Sequence, residues 1–175
     1  MKRTREKPEA KAATKGGSVR RKISQSVTDE NAGRGIVKFW VHGPTGEVAA
    51  RTFAPAEIIE RLKAGLPVQE LDDLRSGLDL PMDKLGPMLG ISKATLHRRK
   101  ATGRLDLVES DRVVRFARLL GLAVSVMESF EAGRRWLRSP QVGLGGSTPL
   151  EYAETEVGAR EVENLLGRIE YGVYS

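Results

Sequence analysis

From residue 68 to the end of the chain, apolar side chains return every three or four positions, and this recurrence limits the fold to packed amphipathic helices. Leu71, Leu74 and Leu78 predict a helix from about Val68 to Gly77. Residues 83–89 give a short helix, Gly90 a turn, and residues 92–102 a second helix. Ser110 is expected to cap a longer helix on which Val113, Phe116, Ala117 and Leu120 share one arc, with Arg112, Arg115 and Arg118 across from it toward solvent. Ser129 then caps a helix carrying Phe130, Trp136 and Leu137, ended by Pro140. After a loop over 143–147, Thr148-Pro149 reads as a cap with proline at the first helical position. A last helix is expected from about Glu156 to Tyr171, with Val162, Leu165, Leu166, Ile169 and Val173 as its apolar stripe. The fold class is mostly α.

The N-terminal third differs. Residues 1–33 hold almost no large apolar side chains, cannot offset chain entropy by burial, and read as a disordered basic tail. Ile36, Val37, Phe39, Trp40 and Val41 precede His42-Gly43-Pro44-Thr45-Gly46, and Val48 and Phe53 follow it, which suggests a short β-hairpin. Pro55 opens a helix with Ile58, Ile59 and Leu62 on one face and Gly65 as its stop. The expected organisation is thus a tail over 1–33, a hairpin plus helix over 34–64, a helix-turn-helix unit over 65–122 and a C-terminal helical unit over 123–175.

Charge is unevenly placed. The formal net charge is +6, from 29 basic and 23 acidic side chains, and the ten basic and four acidic groups of residues 1–34 account for all of it. In the balanced remainder, residues 92–104 carry Lys93, Arg98, Arg99, Lys100 and Arg104 without an acid, whereas Glu151, Glu154, Glu156, Glu161, Glu163 and Glu170 near the end face only Arg160 and Arg168. A basic middle and an acidic end suggest two different partners. Without cysteine, and with His42 and His97 lacking any ligand-spaced partner, no metal or other cofactor is expected. Asp72 and Asp73 point apart on a helix, Leu144-Gly145-Gly146-Ser147-Thr148 lacks the lysine of a phosphate loop, and no nucleophile sits beside a base, so the chain does not read as an enzyme. No segment approaches the roughly 18 apolar residues that cross a bilayer, and the basic N-terminus lacks an apolar follow-on, so no membrane partner is expected and a cytoplasmic location is.

The segment Met82–Arg99 has the pattern of a helix-turn-helix. Gly86 allows two short helices to approach, and Gly90 allows the turn. Leu85, Leu89, Ile91 and Leu96 fix the crossing, which leaves Lys93, Ala94, His97 and Arg98 exposed on the second helix, with Ser92 and Thr95 at its start and Lys100 extending the basic cluster. Small polar and cationic groups there suit base edges and phosphates, which makes these seven residues the candidate DNA contacts. Pro87 requires the first helix to be short or kinked, and Arg99 stands where such motifs carry an aliphatic side chain, so part of the usual packing is expected to be missing. A chain of this size touches few phosphates, so useful affinity implies a homodimer on a two-fold site.

Beyond this motif, residues 65–175 resemble the Xre/MbcA/ParS antitoxins of bacterial type II toxin–antitoxin operons. The resemblance is carried by Gly65-Leu66-Pro67, Leu89-Gly90-Ile91-Ser92, Thr95-Leu96-His97-Arg98-Arg99 and Glu109-Ser110-Asp111-Arg112. It continues through Arg135-Trp136-Leu137-Arg138-Ser139-Pro140, Leu144-Gly145-Gly146-Ser147-Thr148-Pro149-Leu150, Thr155-Glu156-Val157-Gly158-Ala159-Arg160-Glu161-Val162 and the closing run from Leu165 to Ser175. It implies an Xre-like helix-turn-helix domain followed by a small C-terminal helical toxin-binding domain. It also implies a cognate RES-domain toxin that degrades NAD or transfers ADP-ribose from it, and autorepression by binding promoter DNA as a dimer. In that family the C-terminal end lies over or in the toxin's active-site cleft, which nominates Arg168, Glu170, Tyr171, Gly172, Tyr174 and Ser175. An acidic end with Glu163, Glu170 and the terminal carboxylate suits a cationic dinucleotide pocket, with Tyr171 and Tyr174 stacking in place of a ring. The alternatives are a helix-turn-helix transcription factor without a toxin target, and a scaffold in which that motif has decayed.

Overall fold

One long helix organises the computed structural model, which describes residues 54–173; the expected tail and hairpin, together with Tyr174 and Ser175, lie outside the described residues. In chain order the elements are α1 (Pro55–Ala64), α2 (Val68–Leu78), α3 (Met82–Met88), α4 (Lys93–Thr102), α5 (Leu107–Met127) and α6 (Phe130–Leu137). A 3-10 turn (Val142–Leu144), α7 (Pro149–Tyr152) and α8 (Glu156–Glu170) follow. The described residues contain one isolated antiparallel bridge, Pro67 to Arg104, and no paired strands. Among them no helix is long and apolar enough to cross a membrane.

Helix α5 packs against α1, α2, α6 and α8. It can do so because Val113, Phe116, Ala117, Leu119, Leu120 and Ala123 are all fully buried, an apolar surface wider than a single stripe. They join Leu71, Leu74 and Leu78 of α2, Leu85 and Leu89 around α3, and Val162 and Leu166 of α8 in one continuous core. Truncating a side chain such as Phe116 in a core of this kind costs about 3–5 kcal/mol.

Two expectations for α5 are corrected. Ser110 is not its cap. The helix starts at Leu107, with Asp106 as N-cap: the Asp106 carboxylate accepts from the Glu109 N–H at 2.8 Å, and Glu109 accepts from the Asp106 N–H at 2.9 Å. This reciprocal box satisfies two of the donors that a helix start leaves open. Ser110 is buried instead, donating to Asp106 O at 2.6 Å and accepting from Leu66 N–H at 2.9 Å, so it ties the α1–α2 connection to α5.

Arg112, Arg115 and Arg118 do not face solvent freely either. Arg112 donates to Leu89 O at 2.9 Å. Arg115 meets Glu156 at 3.1 Å and Asp111 at 3.0 Å, and Arg118 meets Glu163 at 2.6 Å. For Arg115 and Arg118 the cause is α8, whose glutamates lie against that side of α5.

The remaining helices start and stop near the expected places. Ser129 caps α6, accepting from Ala132 N–H at 3.3 Å. Thr148 and Glu151 form a second capping box at α7, where Pro149 opens the helix. In α1, Ile58 and Leu62 pack on the core one turn apart, but Ile59 is half exposed, because one residue turns the helix by about 100° away from that face.

Candidate functional site

The turn between α3 and α4 is held by its own backbone and by α5. Helix α3 has seven residues with Pro87 in its last turn, which is the short helix that the missing donor demands. Gly90 takes φ of +67°, and a methyl group there would collide with the Arg112 guanidinium that reaches Leu89 O. A methyl on Gly86 would stand 2.9 Å from Ile91 O. The expected apolar contacts are in place: Leu85, Leu89 and Ile91 are buried and Leu96 packs against the core.

Helix α4 has Ser92 as its N-cap, accepting from Thr95 N–H at 3.1 Å, with the two hydroxyls 2.9 Å apart. These two residues organise the helix start. Lys93, His97 and Lys100 lie at helical spacing on the exposed face, beside Ala94 and Arg98, which are also exposed. No ion pair to another described residue engages Lys93, His97, Arg98 or Lys100.

Arg99 resolves the anomaly in the motif. Its guanidinium donates to Glu109 at 2.6 Å and to Asp106 at 2.6 Å, with 17% of the arginine side chain and 6% of the Glu109 side chain exposed. The hydrogen bond to Glu109 is the main cause holding its pKa above the ordinary value, against the opposing effect of burial. The packing expected to be missing is therefore replaced by a sheltered ion pair that fastens α4 to the start of α5. It also neutralises the two carboxylates nearest α4. The string Glu109-Ser110-Asp111-Arg112 thus places three clamps on one helix turn, toward α4, the α1–α2 connection and the α3–α4 turn. Sequence reasoning missed these roles, although the Asp106/Glu109 spacing of a capping box was a readable signal.

At the other end of the chain, α8 buries Val162 and Leu166, while Leu165 and Ile169 are partly covered and Val173 is exposed. Glu163, expected to reach outward, is occupied by Arg118. Glu170 is exposed and without an ion-pair partner among the described residues. Gly172 has φ of +66°, its N–H donating to Ile169 O at 3.2 Å and that of Val173 to Arg168 O at 2.9 Å. This is the Schellman pattern that closes a helix and turns the chain. Tyr171 is left 79% exposed beside it. Arg168, Glu170, Tyr171 and Gly172 thus sit together at the C-terminal end of α8, the last three of them exposed, well separated in sequence from α4.

Residues 57–118 match the antitoxin Xre-like helix-turn-helix domain, and residues 122–172 match the antitoxin Xre/MbcA/ParS C-terminal toxin-binding domain. An "Antitoxin Xre" of Yersinia enterocolitica serotype O:8 is 34% identical over 121 residues, covering 67% of this chain and 81% of that protein. The chain belongs to the Xre antitoxin family. A second Antitoxin Xre, from Photorhabdus laumondii, is 34% identical over 116 residues, or 65% of this chain and 78% of the relative. A "Prs ADP-ribosylating antitoxin" of a Sphingobium species is 26% identical over 132 residues, covering 70% of this chain and 83% of that protein. This Xre-family chain is accordingly an antitoxin of a toxin–antitoxin system with a helix-turn-helix domain, and its two partner classes are DNA and a toxin. The first matched region ends inside α5 and the second begins there, so the two modules share a helix and a core rather than a linker.

Proposed function

We propose that this antitoxin neutralises a cognate RES-domain toxin, which degrades NAD or transfers ADP-ribose from it, by setting its C-terminal end over the toxin's active-site cleft. It represses its own operon in the cytoplasm by binding promoter DNA as a homodimer. Lys93, Arg98, His97 and Lys100 approach phosphates and base edges, while Ser92, Ala94 and Thr95 line the helix start where the backbone approaches the groove. Arg168, Glu170, Tyr171, Gly172, Tyr174 and Ser175 form the toxin-binding end. Glu170 suits a cationic pocket that holds a pyrophosphate, and the tyrosine rings suit the place of a base. The observation that carries this reading is the contrast between cations on α4 that pair with no other described residue and an exposed end after α8. The name of the Sphingobium relative supports ADP-ribose chemistry in the toxin.

Because Leu166 is fully buried, a deletion that reached residue 164 would damage the core along with the site. Removing residues 171–175 is the cleaner test. Cells carrying the toxin and this shortened antitoxin are expected to lose NAD and stop growing, whereas the shortened protein still binds the promoter. Full protection by the shortened chain would overturn the proposal for the C-terminal end.

A further inference from the structure

The loop between α6 and α7 presents one side chain that the fold itself does not use. Val142 is 99% exposed, the most exposed of the large apolar side chains among the described residues. Single exposed apolar residues are ordinary on a protein surface, but the setting of this one is not a loose loop. Gln141 N–H donates to Ser147 O at 3.0 Å, Gly146 N–H to Gln141 O at 3.0 Å, and Gly145 N–H to Val142 O at 3.1 Å. The Gln141 side chain donates to Trp136 O at 3.2 Å and Ser139 O at 3.0 Å, and Leu144 is buried as a plug beneath. The next residue, Gly143, lies on α8: a methyl group there would stand 3.0 Å from Leu165 Cδ1. Leu165 and Ile169, one helical turn apart and both partly covered, lie on the same side of α8 and lead toward its C-terminal end.

We infer that the toxin docks on this loop as well as on the C-terminal end, with Val142 as a fixed apolar contact for the protein surface bordering the toxin's cleft. The inference rests on the reading above that this chain binds a toxin, and can be separated from the role given there to the C-terminal end. It is argued from position, since Val142 falls within the region matched as the toxin-binding domain and its neighbour Gly143 packs on Leu165 of α8, the helix that leads to the C-terminal end. A loop already held by hydrogen bonds loses little freedom on binding, so an apolar contact made there is not offset by ordering.

The test measures binding of the purified product of the adjacent toxin gene to full-length antitoxin, to Val142→Asp, to Val142→Leu and to the chain lacking residues 171–175. Thermal melting, promoter binding and solution mass are measured in parallel. Val142→Asp is expected to weaken toxin binding at least tenfold with melting and promoter binding unchanged, and Val142→Leu to bind like the wild type. If Val142→Asp binds as the wild type does while the shortened chain fails, the inference is overturned and the C-terminal reading stands. If Val142→Asp fails while the shortened chain binds normally, the inference holds and that reading falls. Normal toxin binding by both variants overturns both. A loss of self-association in Val142→Asp with toxin binding unchanged also overturns the inference and assigns the loop to a second copy of this chain.

Discussion

Helices α4 and α5 both carry arginines along a face that sequence patterning turns toward solvent, yet the two sets meet different fates. On α4, Arg98 stands exposed with Lys93, His97 and Lys100 and pairs with no described residue, while on α5 Arg112, Arg115 and Arg118 are each held by an oxygen of another element. The split even separates neighbours, because Arg99 is gripped by Glu109 and Asp106 where Arg98 is free. A cation already paired within the fold is poorly suited to a phosphate, since the acid's field cancels its own. Counting arginines therefore overstates how many cations such a fold leaves available to a partner.

Mutations can break this contrast. The largest effect is expected from Glu109→Ala, which removes both the α5 capping interaction and the sheltered partner of Arg99; urea unfolding should show a loss of about 3 kcal/mol, with promoter affinity falling as α4 loosens. Next, Lys93→Ala and Arg98→Ala should each cost about 1–3 kcal/mol in promoter binding, and removing a cation that neutralises one phosphate should lower the salt slope by about 1. Their unfolding curves should match the wild type; unchanged binding and slope would refute the DNA face. Arg115→Ala should do the reverse, costing about 1 kcal/mol of stability through pairs open to solvent on the acidic side and leaving promoter affinity alone.

The smallest effect concerns pH. The Thr148 N–H, and then its hydroxyl, hold the Glu151 carboxyl below its ordinary value of 4.5. The unfolded chain therefore takes up this proton first as pH falls. The stabilisation is complete above the ordinary carboxylate range and disappears as pH drops through the lowered folded value. Thr148→Ala keeps the N–H and so should flatten only the hydroxyl's share of that part of the acid unfolding profile; at neutral pH it should remove about 1 kcal/mol through the missing cap.

What sequence could reveal follows from the range of the interactions. Leu71, Leu74 and Leu78, the short α3 before Gly90, and the caps at Ser129 and Thr148 are local patterns, and each appears where the residues place it. The start of α5 departs from expectation because Ser110 and Asp106 are both acceptable caps, and Glu109, three residues after Asp106, decides between them. The fate of Arg115, Arg118 and Glu163 is not legible locally, because it depends on α8 folding back onto α5, with partners such as Arg115 and Glu154 standing 39 residues apart. Arg112 is hidden in the same way, since its acceptor on Leu89 lies 23 residues earlier. Val142 gives no signal either: its exposure follows from a loop seated on Leu165, not from its neighbours in the chain.

Helix α5 runs through 21 residues without a break and serves both matched regions. A rod of that length spans about 30 Å. An antitoxin built this way fixes the bearing of its captive relative to the double helix, as a bracket sets the angle of what is bolted to it.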